Sequence, residues 1–331
     1  MTVAVVILNW NGKDLLKQFL PSVTQFSTEA NIYIADNASS DDSINFLRNN
    51  YPEVKIIQNK ENGGYAKGYN DALKHLSEDI LILLNSDIEV TKDWLKPILE
   101  VFSKDSKTAA VQPKILDFKN KSFFEYAGAA GGFIDKFGYP FCRGRIFETI
   151  EEDKGQYDDE TEIFWASGAC LAVKNTVFKE LGGFDEDFFA HQEEIDLCWR
   201  IKNLGYHIKY TGKSCVYHVG GATLNKMNPK KTFFNFRNSL FMLVKNLPKE
   251  KMRKIVLQRM VLDGIAGLKF LFQGDFGHFS AVLKAHAAFY ANFSKMNKKR
   301  IEKTSKIKYF DVKSVVFEYF ALKKSTYKNL I

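Results

Sequence analysis

Residues 80–87 read Ile80-Leu81-Ile82-Leu83-Leu84-Asn85-Ser86-Asp87. A short unbroken apolar run has the length and character of a strand buried on both faces, as in a sheet covered by helices. The acidic turn directly behind it sets a carboxylate at the carboxyl edge of that sheet, where open α/β sheets bind their ligands. A carboxylate there holds a divalent cation, and the cation holds a diphosphate. Asp and Asn are also ordinary turn formers, so the weight of this reading rests on the rest of the chain.

Upstream, strand and helix signals alternate. Val3–Leu8 is an apolar strand closed by Asn9-Trp10-Asn11-Gly12, and Leu15, Leu16, Phe19, Leu20 and Val23 repeat at helical spacing within 13–26. Strands are expected at 31–35 and 54–58, with Asp36-Asn37-Ala38-Ser39-Ser40-Asp41 turning into a helix through Arg48. Asn62-Gly63-Gly64-Tyr65-Ala66 opens a helix to about Leu76, and a helix follows the acidic turn at 94–102. This βαβα order predicts an α/β fold with a mostly parallel central sheet. Residues 111–161 lose the rhythm and read as loops and an antiparallel flap over the sheet edge. Further on come an apolar run at 164–173, a helix at 176–181, a helix from Ile195 to about Leu204 closed by Gly205, and short strands at 206–210 and 214–218. Past Gly221 the pattern is helical, aromatic and basic.

Charge divides the chain in the same place. Of 331 residues, 1–218 carry 24 Lys/Arg against 33 Asp/Glu, whereas 219–331 carry 23 against 6. The domains expected are a catalytic one over 1–222 and a basic, aromatic-rich helical segment over 223–331. That segment suits either an anionic membrane surface or a solvated lysine face packed on the catalytic domain. The four cysteines lack CxxC spacing and read as reduced thiols of a cytosolic protein. The N-terminal run has no basic leader and reads as a core strand rather than a signal peptide. No stretch reaches the length of a membrane span. Asn9-Trp10-Asn11-Gly12 replaces the glycine-rich turn that a nicotinamide enzyme needs, and the basic segment contains no nucleic-acid-binding module.

Five polar clusters follow strands or open helices: Asn9 to Asn11, Asp36-Asn37, Asn62-Gly63-Gly64, Asn85-Ser86-Asp87 and Glu193-Glu194-Ile195-Asp196. In a wound sheet they converge on one crevice. Asp36 suits a nucleobase imide or a ribose hydroxyl. Gly63 and Gly64 let backbone approach phosphate at a helix N-terminus. Glu193, Glu194 and Asp196, beside Asp185, Glu186 and Asp187, crowd like charges. Crowding raises a carboxylate pKa and suits a general base. His218 is a candidate metal ligand.

These motifs, with Ser167-Gly168-Ala169, Gly182-Gly183-Phe184-Asp185 and Leu197-Cys198-Trp199-Arg200, resemble the family 2 glycosyltransferases of GT-A fold, bacterial rhamnosyltransferase-like members in particular. The resemblance covers about residues 2–222. It implies base recognition by Asp36 and nucleotide-sugar contacts from Leu8, Asn9, Asn37, Asn62, Gly63, Gly64, Asn70, Asn85, Ser86 and Asp87. It implies Mg²⁺ or Mn²⁺ on Asp87 and His218, and Glu194 as base with Glu193 and Asp196 as alternatives. Asn85 stands where the family has its first acid, and Glu194 where it usually has Asp. The implied reaction is inverting transfer from a UDP- or dTDP-sugar to a glycan or lipid-linked glycan, with no nucleic acid involved. The rival from the same fold is a nucleotide-sugar-binding protein without turnover.

Overall fold

The computed structural model describes residues 1–220, 228–300 and 307–331; the expected domain boundary at 222 lies outside them. The N-terminal half alternates as its sequence predicts: β1 (Val3–Asn9), α1 (Lys13–Phe26), β2 (Asn31–Asp36), α2 (Ser43–Asn50), β3 (Lys55–Gln58), α3 (Gly64–Leu73), β4 (Ile80–Asn85), β5 (Ile88–Val90) and α4 (Leu95–Lys104). β1 pairs in parallel with both β2 and β4, Asn9 opposite Asp36 and Leu8 opposite Asn85. Chain order therefore reverses about β1, and the carboxyl ends of β1, β2 and β4 lie side by side.

The irregular stretch holds more structure than its sequence suggests. β6 (Thr108–Asp117) is a ten-residue strand of the main sheet. Its signal is broken by Gln112, Pro113 and Lys114, although all three are buried. Lys114 is tolerated there because it pairs with Asp153 at 2.7 Å and with Asp158. Beyond it β7 (Gly132–Ile134), β8 (Pro140–Cys142), β9 (Arg145–Ile146) and β10 (Thr149–Ile150) form a small antiparallel sheet, which is the expected flap. β11 (Glu160–Glu162), β12 (Cys170–Lys174), α5 (Asn175–Glu180), α6 (Glu193–Asn203) and β13 (His207–His218) complete the α/β part of the chain. The two short strands expected at 206–218 are one strand whose register shifts between Thr211 and Cys215.

The main sheet has the order β11-β13-β6-β12-β4-β1-β2-β3, with β5 also on β13. β12 lies antiparallel between β4 and β6, and β13 runs parallel to β6. The strand period of two splits the core. Val3, Val5, Ile7, Ile82 and Leu84 face α1 and α4, with Leu16, Leu20, Trp94 and Leu95. Ala4, Val6, Leu81 and Leu83 face the other layer, with Tyr69, Leu197 and Trp199.

The C-terminal segment is α7 (Pro229–Asn246), α8 (Lys249–Phe272), α9 (Phe276–Lys298), α10 (Val315–Phe320) and α11 (Tyr327–Leu330). Leu240, Phe241, Leu243 and Phe289 of α7 and α9 belong to the same core as Leu197 and Trp199 of α6. No described helix is long and apolar enough to cross a membrane.

Candidate active site

On the donor side, Asn9 and Asp36 end adjacent strands and are almost wholly buried. Asn9 Nδ2 donates to Asp36 Oδ1 at 3.0 Å, and the Ser39 amide donates to Asp36 Oδ2 at 3.0 Å. Asn9 Oδ1 is buried without a partner. Asn37 Nδ2 donates to Asn62 Oδ1 at 2.9 Å and to the Gly64 carbonyl at 3.0 Å. Leu8, Asn9, Asp36, Asn37 and Asn62 therefore meet at one edge, as the sequence predicts for a crevice.

The glycine pair has a more specific task. Gly64 has φ +76°, and a Cβ there would lie 2.6 Å from the Phe189 carbonyl, which accepts the Tyr65 amide at 3.0 Å. The close approach served here is to the loop leading into α6. Asn70 belongs to the same joint: its amide group donates to the Phe184 carbonyl and accepts the Phe184 N–H, both at 2.9 Å. Its bonds tie α3 to that loop rather than point toward Asp36.

Asp87, just past β4, and His218, the last residue of β13, are both buried. Pairing of β5 with β13 sets His218 opposite Ile88. His218 Nε2 lies 3.1 Å from Asp87 Oδ1 and 3.4 Å from Asn85 Nδ2, while Nδ1 lies 3.4 Å from Glu125 Oε2. Burial opposes the imidazolium, but the carboxylates of Asp87 and Glu125 beside the ring outweigh it and push the His218 pKa up to about 10. Nε2 and a carboxylate oxygen side by side, with a second carboxylate on Nδ1, is how a metal-binding histidine is oriented. The residues present thus fit a divalent cation that takes the place of the shared proton. Among the described residues no group of three or more His, Cys, Asp or Glu forms a complete cage, so a cation would need oxygen from its ligand or from water. Ser86, half-buried, lies between Asn85 and Asp87.

The acidic cluster separates into two kinds of group. Asp196 is wholly buried, held by Arg200 Nε, Lys245 Nζ and Asn246 Nδ2, each at 2.8 Å. Burial alone would raise its pKa; Lys245 and Arg200 instead bring it below the ordinary value. Asp185 pairs with Lys245 at 2.7 Å and Lys299 at 2.5 Å, and Asp187 with Lys295 and Lys299. Part of the basic back half thus neutralises the acidic loop.

Among the described residues, Glu193 and Glu194 have no such cation. The Oε2 atoms of both are buried and unpartnered. Burial, then the neighbouring Glu194, pushes Glu193 well above the carboxylate range. Burial pushes Glu194 up to about 7, against hydrogen bonds from the helix-start amides. Desolvation is thus the main cause, where the sequence suggested crowding. Glu194 is half-buried, so it combines a raised pKa with access.

Glu125 and Lys245 were not legible as site residues. Glu125 sits in the irregular stretch, and Lys245 is one lysine among many. The nearest signal for Glu125 is Gly220, where a Cβ would lie 2.7 Å from its Oε1.

Carboxylates and one histidine thus edge the carboxyl ends of β1, β2 and β4, where the chain order reverses and where open α/β sheets bind their ligands. The model of "Glycosyl transferase family 2" matches residues 4–182, and the chain belongs to that family. An N-acetylglucosaminyl-diphospho-decaprenol L-rhamnosyltransferase of Mycobacterium tuberculosis is 27% identical over 232 residues, 65% of this chain and 75% of the relative. Rhamnosyltransferase WbbL of Escherichia coli is 26% identical over 219 residues, 63% of this chain and 80% of the relative. The fold is that of S. aureus TarS 1–349 in complex with UDP-GlcNAc, with TM-score 0.56, 14% identity, and 93% and 95% of the two chains covered. It is also that of GalNAc-T7 with UDP, GalNAc and Mn²⁺, with TM-score 0.57 and 19% identity over 73% of this chain but 47% of that one. The GT-A expectation holds.

Proposed function

We propose that this glycosyltransferase moves a sugar from a UDP- or dTDP-linked donor onto a hydroxyl of a glycan or lipid-linked glycan, with inversion at the anomeric carbon. Residues 1–222 would carry donor and base, and 223–331 the packing that holds the base loop. The observation that carries the reading is Glu194: a half-buried glutamate with no cation on it among the described residues, in the first turn of a helix whose leading loop meets the glycine turn of the donor side, with a pKa near neutrality.

In the proposed mechanism Asp36 accepts hydrogen bonds from the nucleoside, and Asn9, Asn37 and Asn62 shape its seat. Glu194 removes the acceptor proton as the acceptor oxygen bonds to C1 and the C1–O bond to the diphosphate breaks. Glu193, buried beside the base, is pushed well above the carboxylate range by burial and by Glu194. Asp196 is placed by its ion pairs as the brace of α6. Mg²⁺ or Mn²⁺ held by Asp87 and His218, with Glu125 orienting the histidine, would supply Lewis-acid neutralisation of the diphosphate charge. The Mn²⁺ in the GalNAc-T7 and Pyrobaculum calidifontis PcManGT structures supports a divalent ion. The names of the rhamnosyltransferase relatives support rhamnose or another hexose, and decaprenol in one of them supports a lipid-linked acceptor.

The test is a thermal-shift and calorimetric screen of nucleotide-sugars with and without Mn²⁺, followed by release of nucleoside diphosphate on adding acceptor. Binding of no nucleotide-sugar would overturn the reading. Asn85, a neutral residue in the place of the family's first acid, favours a second reading as a binding protein without turnover. Donor binding with no turnover under any metal would establish it.

A further inference from the structure

One face of α8 is apolar and uncovered. Leu257, Val261, Ile265, Leu268 and Phe272 recur at intervals of four, four, three and four residues and are 49–86% exposed. At 3.6 residues per turn they occupy an arc of about 80° and a length of about 22 Å. The opposite face is where the helix is anchored: Arg259 and Asp263 pair there at 2.7 Å, and Tyr139 bonds Asp263. Phe276, just past the turn into α9, is 67% exposed, and Leu283 and Tyr290 follow at seven-residue intervals. Tyr290 lies beside α8, its hydroxyl 3.6 Å from Met260 Sδ. Soluble surfaces scatter single apolar residues, and a continuous stripe of this size marks a contact.

We propose that the α8–α9 hairpin is the surface by which this protein enters an anionic lipid bilayer, lying in the headgroup region with the side chains of Phe272 and Phe276 at its tip inserted and Asp275 between them left at the headgroup level. The charge around the stripe selects this occupant. Residues 249–300 carry 11 Lys/Arg against 3 Asp/Glu, and α9 contains no acid at all. Arg253 and Lys254 extend the α8 face toward its N-terminus, and both are exposed; the acids beside the stripe are Glu250, in the first turn, and Asp275, exposed between Phe272 and Phe276. A second copy docked on this face would bring two such positive surfaces together, whereas acidic headgroups complement it.

The location of the tip gives the contact a purpose, which rests on the lipid-linked acceptor proposed above. A Cβ on Gly277 would lie 3.0 Å from the ring of Pro229 at the start of α7, and Thr232 bonds His278 at 2.8 Å. One turn on, Phe234 stacks on Phe189 with ring centroids 5.5 Å apart. Phe189 lies on the loop that opens the base helix and meets Gly64. The inserted end of the hairpin is therefore linked through α7 to the loop that opens the base helix, a loop that the other end of α9 also reaches through Lys295 and Lys299, and a lipid-carried hydroxyl would arrive along this joint.

Flotation of the full chain with vesicles of phosphatidylcholine, alone or mixed with phosphatidylglycerol, tests this. Wild type should float with the mixed vesicles in a salt-sensitive way and far less with phosphatidylcholine alone. Val261→Ser/Ile265→Ser/Phe272→Ser should bind at least about tenfold more weakly. Arg253→Glu/Lys254→Glu should abolish the preference for phosphatidylglycerol. The triple variant alters exposed side chains, so its melting temperature and its transfer to a water-soluble acceptor should match wild type. Absence of wild-type flotation, or equal flotation of the triple variant, overturns the proposal. So does a wild-type dimer in light scattering that the triple substitution makes monomeric. Loss of sugar transfer with flotation intact would instead fault the catalytic reading alone.

Discussion

Two adjacent glutamates, both pushed up by burial, take different parts in the proposed mechanism. Glu193 is pushed well above the carboxylate range by burial and then by Glu194, and Glu193→Gln, which keeps its size and hydrogen-bonding capacity, should keep most turnover. Glu194, near 7, is partly ionised and able to take a proton. Glu194→Gln should cost roughly 10²–10⁴-fold in turnover with nucleotide affinity nearly unchanged, measured by steady-state kinetics and calorimetry. The wild-type rate should rise with pH through about 7, and the variant should lose that limb. Linkage gives an independent check. The folded state holds the Glu194 proton more tightly than the unfolded chain does, so stability falls as pH rises through the window up to about 7. Above that window Glu194→Gln should therefore melt higher than wild type. Activity retained by Glu194→Gln and lost in Glu193→Gln would move the base to the neighbour.

At the metal position the same scale of argument applies to Asp87, His218 and Glu125. Asp87→Ala should remove Mn²⁺-dependent donor binding. Glu125→Gln, which leaves both proposed ligands in place, should weaken Mn²⁺ affinity by roughly 10–100-fold, read by titration calorimetry. An unchanged affinity would mean that Glu125 plays no part in orienting His218.

Among the elements, α7 decides the geometry of the base. Asn238 Nδ2 lies within 2.7–3.0 Å of the carbonyls of Phe188, Ala190 and His191. These residues belong to a loop in which Phe189, His191 and Gln192 all have positive φ. Such backbone is costly for residues other than glycine and persists only when its surroundings hold it. Asn238→Ala should destabilise by about 1–3 kcal/mol and lower turnover together with stability, checked by urea unfolding alongside kinetics. A drop in stability with unchanged turnover would show that the loop keeps its shape without the clamp. This element also marks the limit of what the sequence discloses. Apolar runs with period-two or helical spacing placed β1, α1, β2 and β4 within a residue or two, and with them Asn9, Asp36 and Asp87. β6 escaped because its polar residues are buried by partners distant in sequence, Lys114 with Asp153 being the clearest case. Glu125 and Asn238 escaped for the same reason: their meaning lies in a contact that no local pattern encodes. The sequence placed Asn70 on its helix but not its bonds to Phe184, since spacing gives position along a helix and not the partner across it.

For the whole molecule, the acidic catalytic half and the basic helical half are parts of one fold. Phe188, Leu197 and Trp199 share a core with Leu240, Phe241 and Phe289, and buried Lys245 neutralises Asp185 and Asp196 across the same joint. Removing the helices from α7 to α11 would expose that apolar surface and leave Asp196, wholly buried, with Arg200 as its remaining cation. Taking one partner from a buried ion pair costs about 3–5 kcal/mol, a large part of the stability of an ordinary domain. A chain ending at residue 220 should therefore fail to fold, and the full chain should unfold in one transition, with tryptophan fluorescence and circular dichroism coincident. Acid should weaken the joint in a defined sense. Burial opposes ionisation of Asp185, but Lys245 and Lys299 bring its pKa down to about 2. Its stabilising contribution is present above the ordinary aspartate value and is lost as pH falls toward about 2. Lys245→Met removes the cation and leaves both carboxylates buried, so it should destabilise strongly at neutral pH and flatten the acid dependence. Two separate transitions in the full chain, or a folded 1–220 fragment that still binds nucleotide, would show that the helical half is an appendage rather than a wall of the active site.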